Sequence, residues 1–219
     1  MVRLMIICAE IGSLHKGNQH LAYEMIRRSA EAGADICKFQ LGWPADDQLR
    51  HVDSFAGFLK ESCEHFGIEF LASIWSLEGL TVAQILRMNR YKISNQIALS
   101  GEPLFEHIIA DGKETLVSAP PGGKKYKNVR WIYTVSQYPT YPKYLHLPRT
   151  FGEDEKYYGY SSHTHGIGDA LIAISRGAEY IEKHCTLDRE MVTRDASFAI
   201  TFEELGELVR LGREIERLR

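Results

Sequence analysis

Short apolar runs rich in β-branched residues alternate along this chain with stretches in which apolar positions recur every three or four residues. Eight runs of the first kind fall at 4–9, 36–40, 69–73, 91–94, 114–118, 129–135, 158–161 and 180–184. Stretches of helical period fill 21–31, 55–65, 77–88, 103–110, 167–176 and 202–218. This alternation is what parallel strands joined by crossover helices produce, because each strand is then covered on both faces. The first two helices are predicted to stop at Gly33 and Gly67, where glycine supplies a left-handed cap.

The fifth crossover breaks the pattern. Pro120, Pro121, Gly122 and Gly123, followed by Lys124, Lys125 and Lys127, cannot make a helix, and the sixth crossover, with Pro142 and Pro148, allows one turn at most. The lysines lack the strand, glycine spacing and helix of a phosphate-binding loop and read as a solvated surface loop. Two architectures fit eight strands with six good helices: an open doubly wound sheet and a closed barrel. Polar residues fall at the C-terminal end of nearly every strand: Glu10, Lys38 with Gln40, Ser73, Lys92, Ser118, Ser136, Ser161 with His163, and Glu182 with His184. A ring of such residues is what the catalytic face of a barrel needs, whereas an open sheet gathers its chemistry at one crevice. The predicted fold is therefore α/β, a trimmed (β/α)8 TIM barrel with its fifth and sixth helices short or missing, one domain over 1–219.

Composition narrows the partners. With 219 residues, 44% of them hydrophobic, the chain can bury a sizeable core. A net charge of -3 removes the broad positive field that nucleic-acid binding uses. The aromatic cluster Trp131, Tyr133, Tyr138, Tyr141 and Tyr144 has no basic stripe beside it and reads as barrel packing and rim. Cys8, Cys37, Cys63 and Cys185 are scattered singly and read as buried thiols in a reducing compartment. The apolar start is too short for a signal or a membrane span. A cytoplasmic protein with a small-molecule ligand, no nucleic acid and no membrane is expected.

Period-two alternation places Ser161 with His163 on one strand face and Glu182 with His184 on the neighbouring one. Two neutral imidazoles at adjacent strand ends suit a divalent first-row metal with positions left open to water and substrate; the alternative is that each merely hydrogen-bonds in the barrel mouth. Lys38 and Lys92 end the second and fourth strands, where their ammonium groups can converge on a phosphate or carboxylate, with hydroxyls from Ser73, Ser136 and Ser161. Glu10 and Glu182 are carboxylates in a barrel interior, so each needs a partner.

A second signal comes from words of the sequence in order: AEIGSLHKG, AGADICKFQ, YKIS, PLFEHIIADGKETLVS, SQYPT, YGYSSHTHGIGDALIAISRGAEYIEKHCTLDR and the final helix. They resemble the sialic acid synthases and their relatives that make legionaminic, pseudaminic and spore-coat sugars, and the likeness runs from Met1 to Arg219. The resemblance implies a barrel that joins carbon three of phosphoenolpyruvate to the aldehyde carbon of an open-chain amino sugar, aided by Mn2+, with Mg2+ or Co2+ as alternatives. It implies His163 and His184 as metal ligands, and Lys38, Lys92, Ser73, Ser136 and Ser161 around phosphoenolpyruvate. Glu10 and Glu182 would order water and substrate hydroxyls, and Gln40 would touch the sugar.

Departures from the family pattern gather on the sugar side. Ser162 stands for an aspartate, Asn95 and Ile97 for a serine and a sugar-binding glutamate, and Thr193 with Arg194 for an Asp-His pair. The family's C-terminal antifreeze-like domain is not represented, so a homodimer or a separate partner protein is expected to complete the sugar site. Little or no activity with N-acetylmannosamine is expected of the isolated chain. Two other readings stay open: a Schiff-base aldolase using Lys92 or Lys38, and a non-catalytic sugar-phosphate-binding barrel.

Overall fold

A computed structural model describes residues 5–43, 52–101, 103–122 and 126–219. Leu4 of the first predicted strand and Gly123, Lys124 and Lys125 of the lysine loop lie outside them. The eight predicted strands form at β1 (Ile6–Glu10), β2 (Ile36–Leu41), β3 (Glu69–Ile74), β4 (Arg90–Ile93), β5 (Glu114–Val117), β6 (Val129–Thr134), β7 (Gly159–Ser162) and β8 (Tyr180–Thr186). All neighbours pair in parallel, and β1 also pairs with β8, from Ile6 opposite Tyr180 to Glu10 opposite His184. That pairing closes the sheet into a barrel and excludes the open doubly wound alternative. A ninth strand, β9 (Ile200–Thr201), adds two residues beside Cys185 and Thr186.

The helices α1 (Gln19–Glu31), α2 (Ala56–Phe66), α3 (Leu77–Ile85), α5 (Pro103–Ala110), α6 (Gly168–Ser175) and α7 (Phe202–Leu218) occupy the predicted stretches. Their ends are set locally. Asn18 accepts from the backbone of His20 and Leu21 at the start of α1, Gly67 turns left-handed at φ 70° after α2, and Thr201 with Glu204 forms a capping box on α7. One helix, α4 (Asn95–Leu99), was not expected; its five residues are too few to show a period, and the Ser94 side chain caps it. The fifth crossover contains no helix among its described residues, and the sixth holds one 3-10 turn, Pro142–Tyr144.

The apolar faces meet in one continuous core that includes all four cysteines as buried thiols. At the N-terminal end of the barrel, Arg213 of α7 makes two bonds to the Asp35 carboxylate, at 2.8 and 2.7 Å, and Asp35 accepts from the backbone of Ile7. This fork ties the last helix to the first two strands. Among the described residues no helix is long and apolar enough to cross a membrane.

The seam between β7 and β8 is tight. A Cβ at Gly159 would lie 2.3 Å from the Tyr180 carbonyl oxygen and 2.6 Å from Tyr180 Cβ. Backbone cannot yield as a flexible side chain can, so Gly159→Ala is expected to cost about 1–3 kcal/mol. Urea denaturation checks this through a lowered midpoint at unchanged slope.

Candidate active site

Side chains that point inward at the C-terminal strand ends line a cavity of about 290 Å³. All ten residues singled out from the sequence face it: Glu10 from β1, Lys38 and Gln40 from β2, Ser73 from β3, Lys92 from β4, Ser136 just past β6, Ser161 from β7, His163 just past β7, and Glu182 and His184 from β8. Parallel register brings them together. Glu10 lies opposite Lys38 on one side and His184 on the other, and Ser161 lies opposite Glu182.

The floor is an ion cluster. Lys38 Nζ sits 2.6 Å from Glu10 Oε2 and 3.5 Å from Glu182 Oε1, and it donates to Ser73 Oγ at 3.0 Å. Glu182 also accepts from Tyr180 Oη at 2.7 Å and Ser161 Oγ at 2.8 Å. Burial opposes charge on all three groups, and the partners decide the outcome. The two carboxylates outweigh burial for Lys38 and hold its ammonium above the usual lysine range. Burial likewise opposes ionisation of Glu182, yet Lys38, Lys92 and the two hydroxyl donors hold its carboxyl well below the usual range. Glu10 has fewer compensating donors, and burial pushes it up to about 7.

Lys92 differs from Lys38. It donates to Ser118 Oγ at 2.6 Å and has no carboxylate within ion-pair distance among the described residues. Burial therefore wins, and its ammonium is pulled down to about 8.

The two histidines stand across the cavity with ring centroids 5.5 Å apart. Nδ1 of His163 lies 3.0 Å from the Val135 carbonyl oxygen, which can only accept, so Nδ1 donates and Nε2 keeps its lone pair. Burial lowers His163 to about 3 and His184 to about 4, so both imidazoles are neutral near pH 7. Neutral nitrogens are the state that ligates a first-row divalent ion. Among the described residues no third His, Cys, Asp or Glu completes an ion-holding group. The pair therefore fits an ion that keeps water and substrate oxygens as its other ligands.

Several lining residues were not singled out from sequence. Trp43 and Trp75, edge to face at 4.2 Å, wall the side above β2 and β3, with Asn95 and Gln96 beside them. Arg194 lies over the Tyr138 ring at 4.6 Å on the opposite rim, next to Asp195. Trp43, Trp75, Arg194 and Asp195 sit on loops, and Asn95 and Gln96 open the short α4, where in both cases period gives no signal. Two expected departures change meaning here. Asp195, two residues beyond Thr193, lines the cavity while Thr193 does not. Ser162 faces the other way: Lys183 donates to its hydroxyl at 2.9 Å, and the hydroxyl donates to Asp169 Oδ2 at 2.7 Å. The exchange at 162 is therefore behind the barrel wall. Ile97 is buried and does not line the cavity, whereas its neighbour Gln96 does.

Removing Lys38 would strand two buried carboxylates, while removing Lys92 strands none. Lys38→Met is expected to cost about 3–5 kcal/mol and Lys92→Met clearly less, as compared by the urea midpoints of the two variants.

Known proteins resemble this chain along its whole length. Human N-acetylneuraminate-9-phosphate synthase is 27% identical over 255 residues, covering 96% of this chain and 70% of the human protein. The N,N'-diacetyllegionaminic acid synthase of Campylobacter jejuni is also 27% identical, covering 97% of this chain and 76% of its own. The crystal structure of a sialic acid synthetase from Leptospira borgpetersenii superposes with a TM-score of 0.81 at 24% identity, covering 98% of this chain and 85% of that one. Residues 122–219, which carry both histidines and the Glu182 strand, match the NeuB family. The chain is thus similar across nearly its whole length to sialic acid synthases and their relatives, and it shares their closed-barrel fold.

Proposed function

We propose that this chain condenses phosphoenolpyruvate with an aldose, N-acetylmannosamine-like or another amino sugar, and releases phosphate. The observation that carries the reading is the meeting, in one cavity, of the Lys38 and Lys92 ammonium groups with two neutral imidazoles. Lys38 is aimed by its carboxylates and Lys92 by Ser118. Together with Ser73, Ser136 and Ser161 they offer fixed donors to a carboxylate and a phosphate, so positioning costs little at the moment of reaction.

Carbon three of phosphoenolpyruvate forms a bond to the aldehyde carbon, whose π pair moves to the aldehyde oxygen, and that oxygen takes a proton. A divalent ion on His163 and His184, Mn2+ by preference with Mg2+ or Co2+ as alternatives, would supply Lewis-acid polarisation of that oxygen. Carbon two is left electron-poor. Water adds there and loses a proton, and the new hydroxyl then loses its second proton and becomes the keto oxygen as the bond from carbon two to the phosphate oxygen breaks, its electron pair leaving with phosphate. Glu10 and Glu182 are placed to order the water and the acceptor's hydroxyls. Gln40, whose Oε1 is buried with no partner among the described residues, would offer an acceptor to a sugar hydroxyl. Phosphate release from phosphoenolpyruvate, with manganese and a panel of amino sugars, tests the whole reading; binding without turnover across the panel would favour a non-catalytic barrel.

A Schiff-base lyase is the second reading, and one observation favours it. Lys92 is buried in the cavity, hydrogen-bonded to a hydroxyl and held down to about 8, so it reaches the free amine more readily than Lys38. Borohydride trapping with a keto acid at Lys92 would select it.

Two outcomes are expected of the condensing enzyme. His163→Ala and His184→Ala each lose bound manganese, because no spare protein nitrogen remains; full metal content in either variant sinks the metal assignment. Lys92→Ala weakens phosphoenolpyruvate binding by about ten- to hundredfold, the usual worth of a charge-assisted bond. The ammonium is charged below about 8 and neutral above it. Wild-type affinity therefore falls as pH rises beyond that value, and calorimetry across the range should show the fall absent in Lys92→Ala.

A further inference from the structure

Asp195 lies on the loop between β8 and β9, and one of its oxygens is held in place by the loop after β1. Ser13 donates to Oδ2 twice, from its backbone N–H at 3.0 Å and from its hydroxyl at 2.7 Å. The same oxygen stands 3.9 Å from Nδ1 of His184. Gly12 permits the approach. Its φ is +53°, and a Cβ built there would lie 2.7 Å from Asp195 Oδ2 and 3.3 Å from both Nδ1 and Cε1 of His184. The three groups are nested so closely that no side chain fits at residue 12.

Nδ1 of His184 is buried and has no hydrogen-bond partner among the described residues. Buried ring nitrogens are normally paired. For His163 the pairing is made by the Val135 carbonyl, which leaves Nε2 to the cavity. Among the described residues no backbone carbonyl does the same for His184. Of the acidic groups, Asp195 is the one recorded within ion-pair distance of it.

We propose that Asp195 is a positioning residue: it fixes His184 as the tautomer protonated on Nδ1, so that the Nε2 lone pair is presented to the cavity. The proposal rests on the reading of His163 and His184 as donors to a divalent ion. A gap of 3.9 Å is longer than a hydrogen bond. A small rotation of the imidazole toward the carboxylate would close it. Because Ser13 anchors the carboxylate, the ring moves to the carboxylate and not the reverse. A carboxylate behind a ligating imidazole fixes the ring's orientation and raises its basicity. The two histidines would then present equivalent nitrogens by different means, one held by a backbone carbonyl and the other by a carboxylate.

Long-range proton–nitrogen correlation spectra of the imidazoles read the tautomers in the ion-free chain. Both His163 and His184 are expected to be protonated on Nδ1. In Asp195→Ala, His184 alone should move toward the Nε2-protonated form. Manganese affinity, measured by calorimetry, should fall by about ten- to hundredfold, the usual cost of losing such a carboxylate. An Nε2-protonated His184 in the wild type, or an unchanged His184 spectrum in Asp195→Ala, overturns the proposal. The wild-type tautomer decides the matter even where the variant does not fold. If the wild type binds no manganese while His184 is Nδ1-protonated and responds to Asp195→Ala, the ion reading fails and the positioning role stands.

Discussion

The buried ammonium of Lys38, held between Glu10 and Glu182, is the constraint on which the rest of the site depends. It joins β2 to β1 and, through Glu182, to β8, the strands at the seam where the sheet closes. Taking three charges out of water is costly, and their attraction offsets this only where geometry and further hydrogen bonds are good. Ser73, Ser161 and Tyr180 supply those bonds. A barrel end that would otherwise be filled with apolar side chains is thereby kept polar and fixed in shape.

That cluster also divides the two lysines. Lys38 has two carboxylates and stays charged over the whole accessible range, so it behaves as a permanent fixed charge. Lys92 has a hydroxyl and a carbonyl for partners and sits near its titration range. Among the described residues no carboxylate lies within ion-pair distance of Lys92, and Glu182 acts on it only from farther away. The difference comes from neighbours alone, since the two side chains are chemically identical and equally buried.

Behind the wall, a second polar network shows how one substitution is absorbed. Lys183 points away from the cavity and donates to Ser162 Oγ and to the Thr164 carbonyl, while Asp169 accepts from Ser162 and from Tyr160. The carboxylate expected at 162 is thus supplied from α6 through a hydroxyl relay. Phe198 packs against both cavity histidines at ring distances of 5.8 and 5.0 Å, so the loop that carries Arg194 and Asp195 is pinned at the C-terminal end of the barrel.

Among the described residues, periodicity alone determined eight strands, six of the seven helices and the weak fifth and sixth crossovers, because apolar spacing and glycine or proline stops are local properties of the chain. It also placed Lys38, Gln40, Ser161, His163, Glu182 and His184 on inward faces, since alternation along a strand needs no knowledge of neighbours. Closure of the barrel was a choice between two architectures that only the β1–β8 pairing decided. The short α4 escaped because five residues carry no period. Trp43, Trp75, Arg194 and Asp195 reach the cavity from loops, where a residue's direction follows from the packing of distant segments: Asp195 meets Ser13 across 182 positions of sequence. The opposite directions in which the Glu10 and Glu182 carboxyls are pushed likewise arose only in the folded chain, because each depends on how many donors the tertiary structure brings to a buried carboxylate.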